Sequence, residues 1–207
     1  MDPVIMIIRI PAILMALTIH ELAHGFIAKL LGDNTAEMEG RLTINPFVHL
    51  DFIGALMLLF GPFGWAKPVP VNASNFKDPI KDMAIVALAG PLSNVIFAAL
   101  AGLILRTGIF NNFQILSMML YILFIINIGL AVFNLFPIYP LDGSRILVAF
   151  LKPTQRIAYF KAMNIVPMVF IILITAEWAF KIPIISYIFN PIFVPTLKFA
   201  RKLFMGI

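Results

Sequence analysis

Long apolar runs with few charged residues restrict the folds that are open to this chain. Of its 207 residues, 61% are hydrophobic and 12% are charged, and the mean hydropathy is +1.00. A typical water-soluble domain is about 45–50% apolar and about 25% charged, so both a soluble domain and a disordered chain are disfavoured. Apolar runs of about 20 residues predict membrane-spanning helices, because backbone polar groups inside a bilayer must be satisfied within the helix.

The apolar runs predict an all-α polytopic membrane protein with a single domain, residues 1–207, in which the core covers about 4–151 and C-terminal helices cover 157–207. A further run, Phe52–Trp65, is only 14 residues long and contains three glycines and a proline, so we expect it to be re-entrant or interfacial. The expected fold is a bundle of about five to six transmembrane helices. The predicted spans are Val4–Leu31, Met83–Leu105, Phe113–Leu135, Ala162–Phe180 and a weaker, proline-interrupted Ile184–Phe199.

Alternating valines and prolines in Lys67–Pro79 predict a short β-strand or hairpin at the membrane surface. Proline confines such a strand to an edge, since it has no N–H to donate to a partner strand.

The distribution of lysine and arginine predicts the orientation. The net charge is +5, and the basic residues lie mostly between apolar runs, which is typical of membrane topology and not of nucleic-acid binding. If Phe52–Trp65 does not cross and the other five segments do, twelve of the fifteen basic residues share one face. The exceptions are Arg9, Arg106 and Lys181. The positive-inside rule makes the twelve-residue face cytoplasmic, and we expect the plasma membrane of a prokaryote.

The sequence His20-Glu21-Leu22-Ala23-His24 lies inside the first predicted span. Residues four apart on a helix lie on one face, so the two imidazoles converge as a zinc ion requires. Glu21 can reach a water at such a metal and take its proton. Ionisable groups inside a span are costly and are usually functional. The alternative is a polar packing cluster without a metal.

The chain has no cysteine, so a third metal ligand must be a histidine or a carboxylate. Asp142 follows the span Phe113–Leu135, after Pro137 and Pro140 interrupt the helix. A broken helix at membrane depth is tolerated where it lines a cavity, and the predicted topology brings this end to the side of His20 and His24. Asp142 is therefore the best carboxylate candidate, and its alternative role is a helix N-cap.

Three further polar residues are candidates for accessory roles. Asn134, at the end of the span Phe113–Leu135, has an amide that can bind a substrate strand or an oxyanion, or simply satisfy the local backbone. Asn94, in Gly90-Pro91-Leu92-Ser93-Asn94, points into the bundle, where packing is an equal alternative. His49 could assist the site, although a solvated loop histidine is the favoured interpretation.

Taken together, these motifs resemble the site-2 protease family of intramembrane zinc metalloproteases, in a compact prokaryotic branch without an inserted PDZ-like domain or a C-terminal nucleotide-sensing domain. The resemblance covers roughly residues 10–150. The motifs that carry it are His20–Gly25, Gly40–Asp51, Gly64–Asn72, Gly90–Asn94, Asn134–Pro137 and Leu141–Gly143.

The resemblance implies that His20, His24 and Asp142 bind one zinc ion and that Glu21 is the general base. It further implies that Asn94 and Asn134 bind substrate or stabilise the oxyanion. Three helices, Val4–Leu31, Met83–Leu105 and Phe113–Leu135, would form the catalytic core, and a membrane-associated β-hairpin near Lys67–Val71 would pair with substrate. The expected partners are membrane-embedded protein substrates and the lipid bilayer, with cleavage on the cytoplasmic side.

Two other functions are compatible with the residues. A membrane-bound zinc peptidase that cuts extramembrane chains would share the metal motif. A metal-ion transporter would also place histidine and carboxylate in the membrane, although it does not explain a base between two ligands, and the chain shows no internal repeat of the kind common in transporters.

Overall fold

The computed structural model describes residues 3–51, 54, 66–181 and 183–207. In this part of the chain there are eight α-helices, with two short 3₁₀ turns, Pro46–His49 and Ala73–Asn75, and a final π-helical turn, Arg201–Met205. The α-helices are α1 (Pro3–Leu30), α2 (Thr35–Met38), α3 (Pro79–Arg106), α4 (Gln114–Asn134), α5 (Asp142–Phe150), α6 (Pro153–Met163), α7 (Val166–Phe180) and α8 (Ile184–Ala200).

Four of the helical stretches in the described residues are long and apolar enough to cross a bilayer. They are Ile7–Leu30 in α1, α3, α4, and Pro153–Glu177, which combines α6 with most of α7. The predicted spans for α1, α3 and α4 agree with the observed helices to within four residues at either end. The expected number of five to six transmembrane helices is not confirmed. The run Phe52–Trp65 lies outside the described residues, apart from Gly54.

The surfaces of these helices require lipid. At most a third of the residues in the most apolar window of each span are buried within the protein, and many large apolar side chains on α3 and α4 point outward. Apolar surface of this extent is not stable in water, so the protein resides in a membrane.

Small residues let α3 pack closely against its neighbours. Helix α3 contacts α1, α4 and α5, and α1 also contacts α4, so the three long helices form the bundle that the sequence predicts. Ala98 and Ala101 of α3 are buried against Phe124 and Ile128 of α4. Small side chains at such interfaces allow the helix backbones to approach, which is how helices associate where no hydrophobic effect acts between them.

The predicted β-hairpin is not confirmed. One isolated antiparallel bridge joins Leu50 to Ala66, and the described residues contain no strand. Residues 67–72 form no regular secondary structure. Pro68 and Pro70 lack N–H groups, and the N–H of Val69 between them binds the side chain of Glu21 instead, so no ladder can form along this edge.

The C-terminal helix corrects the predicted charge distribution. Phe189 at the start of α8 packs on Phe133 at the end of α4, whereas Arg201 lies 5.7 Å above the ring of Tyr121 in the first half of α4. The C-terminal lysines and arginines therefore lie at the Arg106 end of the bundle, and not with Lys29 and Arg145 as predicted. The other nine basic residues of the predicted face are not affected by this correction. The prediction failed because it assumed that every apolar run crosses in strict alternation.

Candidate metal centre

His20 and His24 lie one turn apart on α1 and direct their rings toward one point, as the four-residue spacing predicts. Their Nε2 atoms are 3.0 Å apart. Both residues are buried, with 5% and 9% of their surfaces exposed.

Asp142 completes the cluster from the first position of α5. Its Oδ2 atom lies 3.1 Å from His20 Nε2 and 3.3 Å from His24 Nε2. Gly143 makes this approach possible, since a Cβ there would overlap the carbonyl oxygens at the end of α4. The N-cap position belongs to Leu141, so the alternative that Asp142 is the N-cap is wrong.

The far nitrogens of both rings have fixed partners. His20 Nδ1 donates to Asn94 Oδ1 at 2.6 Å, and His24 Nδ1 donates to the carbonyl oxygen of Val86 at 2.7 Å. A carbonyl can only accept, so the hydrogen of His24 is on Nδ1 and the lone pair on Nε2 points into the cluster. Metal-binding histidines usually have such a partner, which sets the tautomer and the ring orientation.

The cluster has the donor set and spacing of a zinc site. Both Nε2 atoms and Asp142 Oδ2 are acceptors, and Oδ2 is buried without a hydrogen-bond donor among the described residues. Three acceptors 3.0–3.3 Å apart repel one another unless they share a cation or one of the imidazoles takes up a proton. In a tetrahedral site with bonds of about 2.0–2.1 Å, ligand atoms lie about 3.3–3.4 Å apart. In the described part of the chain, these are the three residues that could hold a metal ion.

Gly90 forms the back wall of this centre. A Cβ at this position of α3 would come within 2.6 Å of His20 Cε1 and closer still to His24 Nε2. No side chain fits there unless an imidazole moves, so the Gly-Pro motif of α3 packs directly against the rings.

Glu21 is held beside the cluster by the segment that follows residue 65. The N–H of Val69 donates to Glu21 Oε2 at 2.8 Å. The buried guanidinium of Arg41 fixes the same segment by donating to the carbonyl oxygens of Lys67 and Pro68 at 2.8 and 3.3 Å. One carboxylate oxygen of Glu21 is thus anchored, and Oε1 is left to accept a proton.

Two cavities meet at the cluster. The smaller, of about 200 Å³, contains His20, His24, Asp142 and Glu21 in its wall, with Arg145 at its edge. The larger, of about 560 Å³, lies between α1, α4, α7 and the turn after α4. Its wall is mainly apolar and includes Leu17, Leu130, Phe133, Phe170, Ile171 and Ile174, together with His20, Glu21 and Asn134.

The two candidate asparagines occupy different environments. Asn134 lines both cavities, and its Nδ2 donates to Leu130 O at 3.0 Å, which is the local backbone bond considered above. Asn94 is fully buried and is not among the described residues that line either cavity. Its position behind His20 does not favour contact with substrate, and a role in substrate binding stays a prediction for both residues.

His49 is buried, with 1% of its surface exposed, so the interpretation as a solvated loop histidine is wrong. Its Nε2 bonds to Thr43 O at 2.9 Å, and its carbonyl oxygen accepts from Lys67 N at 2.7 Å. These contacts connect the loop before residue 51 to the segment that holds Glu21, and the accessory role of His49 stays a prediction.

Sequence reasoning missed the residues that support the cluster from behind. The Val86 carbonyl and the Val69 amide are backbone groups, which no residue pattern reveals. Asn127 could have been found, because an asparagine in the middle of an apolar span is costly and needs a reason. It donates to Leu123 O at 2.8 Å and accepts from Asn94 Nδ2 at 2.7 Å.

Comparison with known proteins agrees with this chemistry. Residues 109–176 match the model of peptidase family M50. The chain is 35% identical to a Bacillus subtilis protein named "Putative zinc metalloprotease YwhC", over 94% of this chain and 90% of that protein. It is 29% identical to the Mycolicibacterium smegmatis protein named "Putative zinc metalloprotease Rip2", over 73% of this chain and 61% of that one.

No solved structure matches the chain significantly. The match to YwhC extends over nearly the whole of both chains and includes the histidine pair and Asp142 within its range. Zinc is thus the cofactor and peptide-bond hydrolysis the chemistry. This chain belongs to the M50 peptidases, the site-2 protease family of membrane zinc metalloproteases.

Proposed function

We propose that this protein is an intramembrane endopeptidase that hydrolyses peptide bonds within or next to transmembrane segments of other membrane proteins. The observation that carries the proposal is the larger cavity, which connects the cluster to an apolar space between helices. A transmembrane segment is apolar, and this cavity offers it an apolar wall next to three zinc ligand candidates. A peptidase for soluble chains needs no such wall.

We propose that His20, His24 and Asp142 hold the zinc ion. Two neutral imidazoles and one carboxylate are a common ligand set for catalytic zinc, with one position left open. When bound there, zinc acidifies a water molecule and polarises a carbonyl group.

Glu21 is the general base in this proposal. Its Oε2 is held by the Val69 amide, so Oε1 can take a proton from the attacking water and then deliver it to the leaving nitrogen. The anchored oxygen keeps the carboxylate in one orientation through both transfers.

The substrate must unwind locally, because a helix hides its carbonyl carbons behind side chains and hydrogen bonds. In this proposal the unwound chain lies beside residues 67–71, since Pro68 lines both cavities, and new backbone bonds there would offset part of the lost helix bonds. Asn134 lines both cavities as well and would contact the peptide.

The catalytic side is proposed to face the cytoplasm. Lys29, Lys81 and Arg145 lie at the end of the bundle that contains Asp142, and the sequence-based topology assigns six further basic residues to this end. This majority is smaller than the twelve residues that the sequence predicts, but under the positive-inside rule it still assigns this side to the cytoplasm. All parts of the machinery lie in one domain, residues 1–207.

Glu21→Gln tests the proposal, because it keeps the size of the side chain and an acceptor for the Val69 amide. We expect cleavage of a model transmembrane substrate in liposomes to fall at least about 100-fold, the lower range for loss of a general base, with bound zinc unchanged. Glu39→Gln, an exposed position away from the cavities, is the matched control.

Substrate choice separates the competing functions. Wild-type cleavage of a soluble unfolded protein at the rate of the membrane-embedded one would favour an extramembrane peptidase. Zinc flux into vesicles without any proteolysis would favour a transporter.

A further inference from the structure

A chain of side-chain amides runs from the middle of α4 to the metal centre. Asn127 of α4 and Asn94 of α3 are both fully buried inside predominantly apolar helices. A buried amide without partners is costly in such surroundings, and each of these amides has partners at both ends. The Oδ1 of Asn127 accepts from Asn94 Nδ2 at 2.7 Å, and the Oδ1 of Asn94 accepts from His20 Nδ1 at 2.6 Å.

Backbone carbonyl groups determine which atom donates in each hydrogen bond of this amide chain. Leu123 O can only accept, so the Asn127 atom that faces it at 2.8 Å is Nδ2. The other end of that amide is then Oδ1, an acceptor, which requires a donor from Asn94. Ala16 O accepts the second hydrogen of Asn94 Nδ2 at 3.1 Å. Both hydrogens of Asn94 are therefore used, and its oxygen must face His20.

The last bond of this amide chain determines which ring nitrogen of His20 carries the hydrogen. An acceptor at Nδ1 requires the hydrogen on that nitrogen, and Nε2 then carries the lone pair that faces His24 and Asp142. The partner of His24 is a main-chain carbonyl, which cannot rotate. His20 differs, because its partner is a side-chain amide that could flip by 180° and present an N–H group instead of an oxygen.

We propose that Asn127 is a positioning residue of the metal centre: it locks the amide of Asn94, which in turn holds His20 in the tautomer that binds metal. The proposal rests on the ligand set proposed above. The competing explanation is that the Asn94–Asn127 bond only ties α3 to α4, as polar side chains do in other membrane bundles. Both explanations predict lower stability without Asn127, but only the first predicts weaker zinc binding.

Two acceptors hold the Asn94 amide in this orientation, Asn127 Oδ1 and Ala16 O. Without Asn127, Ala16 O still disfavours a flipped Asn94, so part of the orientation remains. Removal of Asn127 should therefore weaken zinc binding less than removal of Asn94. Outer partners of metal-binding histidines typically contribute about 10–100-fold to metal affinity, and we expect about tenfold for Asn127→Leu and up to about 100-fold for Asn94→Leu.

Zinc dissociation constants of the full chain in detergent, measured by competition with a chelator, test the proposal. Ile128→Ala is the matched control, since Ile128 is the next residue on α4, equally buried in the apolar cluster and outside the amide chain. Its zinc affinity should stay within about twofold of wild type even if its melting temperature falls further than that of Asn127→Leu. Asn127→Ser serves if the leucine variant does not fold, because serine can bond to Leu123 O within the helix but is too short to reach Asn94.

The nitrogen-15 spectrum of the metal-free protein, labelled at its three histidines, reports the tautomer directly. We expect His20 of the wild type to show a single form with hydrogen on Nδ1, and Asn127→Leu to show a mixture. Unchanged zinc affinity and an unchanged His20 spectrum in Asn127→Leu would overturn the proposal and leave Asn127 a packing residue. Wild-type zinc affinity in His20→Ala would instead overturn the ligand set itself.

Discussion

Helix α3 and the stretch Pro153–Glu177 are equally apolar but differ in how they pack. Their most apolar windows have mean hydropathies of 2.0 and 2.1, yet 33% of the residues in the α3 window are buried within the protein, against none in the other. Most of the buried positions of α3 are small or polar, among them Gly90, Asn94, Ala98 and Gly102. Hydropathy thus determines which segments enter the membrane, and small and polar residues determine which of them form the core.

The largest expected contrast between these regions concerns their carboxylates. Asp142→Ala should remove bound zinc and abolish proteolysis, because two imidazoles alone leave the ion one protein ligand short. Glu177→Ala, in α7, should retain zinc. Metal analysis of the purified variants measures both. Equal zinc in Asp142→Ala and wild type would contradict the ligand assignment and remove the functional difference between the two regions.

The next prediction compares a glycine at the metal centre with a glycine in the contact between α4 and α8. Gly90→Ala places a methyl group against both imidazoles, and we expect a loss of about 1–3 kcal/mol in stability from overpacking together with weaker zinc binding. Gly129→Ala, where α4 faces α8, meets Phe193 only at 3.7 Å and should be neutral or stabilising by up to about 1 kcal/mol. Thermal unfolding with and without zinc checks both. Tolerance of Gly90→Ala would mean that the rings can move.

The next prediction concerns Asp33, which follows the end of α1. It is fully buried and accepts bonds from Asn72 N and Asn75 Nδ2, both at 2.7 Å. Burial raises its pKa, but these bonds and those from Thr35 outweigh burial and hold the pKa below its usual 3.8.

The stability that Asp33 contributes is therefore present above about pH 3.8 and is lost as the pH falls through its lower folded value. Asp33→Asn should cost about 1–3 kcal/mol at pH 7, because its amide turns donors toward donors, and should flatten the acid limb of the stability curve. Melting temperatures from pH 3 to 7 measure this, with Glu39→Gln as control. An acid limb that is identical in Asp33→Asn would disprove the assignment.

The smallest effect is expected at the contact between α7 and α8. Ser186 Oγ donates to Glu177 Oε1 at 2.7 Å, and both residues are partly exposed. Ser186→Ala should cost about 0.5–1.5 kcal/mol, a shift of a few degrees in melting temperature for a chain of this size, with no change in zinc affinity. A loss larger than that of Asp33→Asn would show that α7 and α8 belong to the stable core after all.

The sequence predicted those features that depend on local pattern. The bounds of α1, α3 and α4 followed from hydropathy, and the convergence of His20 and His24 followed from helical periodicity. The meeting of Asp142 with this pair followed from proline interruption and the expected topology. All three arguments need only neighbouring residues or the simple alternation of spans.

Features that depend on distant packing could not be predicted. The direction of α8 is set by Phe189 and Arg201 against α4, and alternation of apolar runs gave the wrong side for the C-terminal basic residues. The burial of His49 depends on the segment around Lys67, more than 15 residues away. The hairpin is not confirmed among the described residues, where the Val69 amide donates to Glu21 and not to a neighbouring strand.

The contact of Gly90 with both rings has a consequence for which ions the site accepts. Because α3 touches the Nε2 and Cε1 edges of both rings, the imidazoles have little room to rearrange around an ion of another size. An ion with the radius of zinc, such as cobalt(II), should enter without strain, whereas we expect the larger cadmium(II) to require a shift of α3. A residue without a side chain would then contribute to selection by ion size.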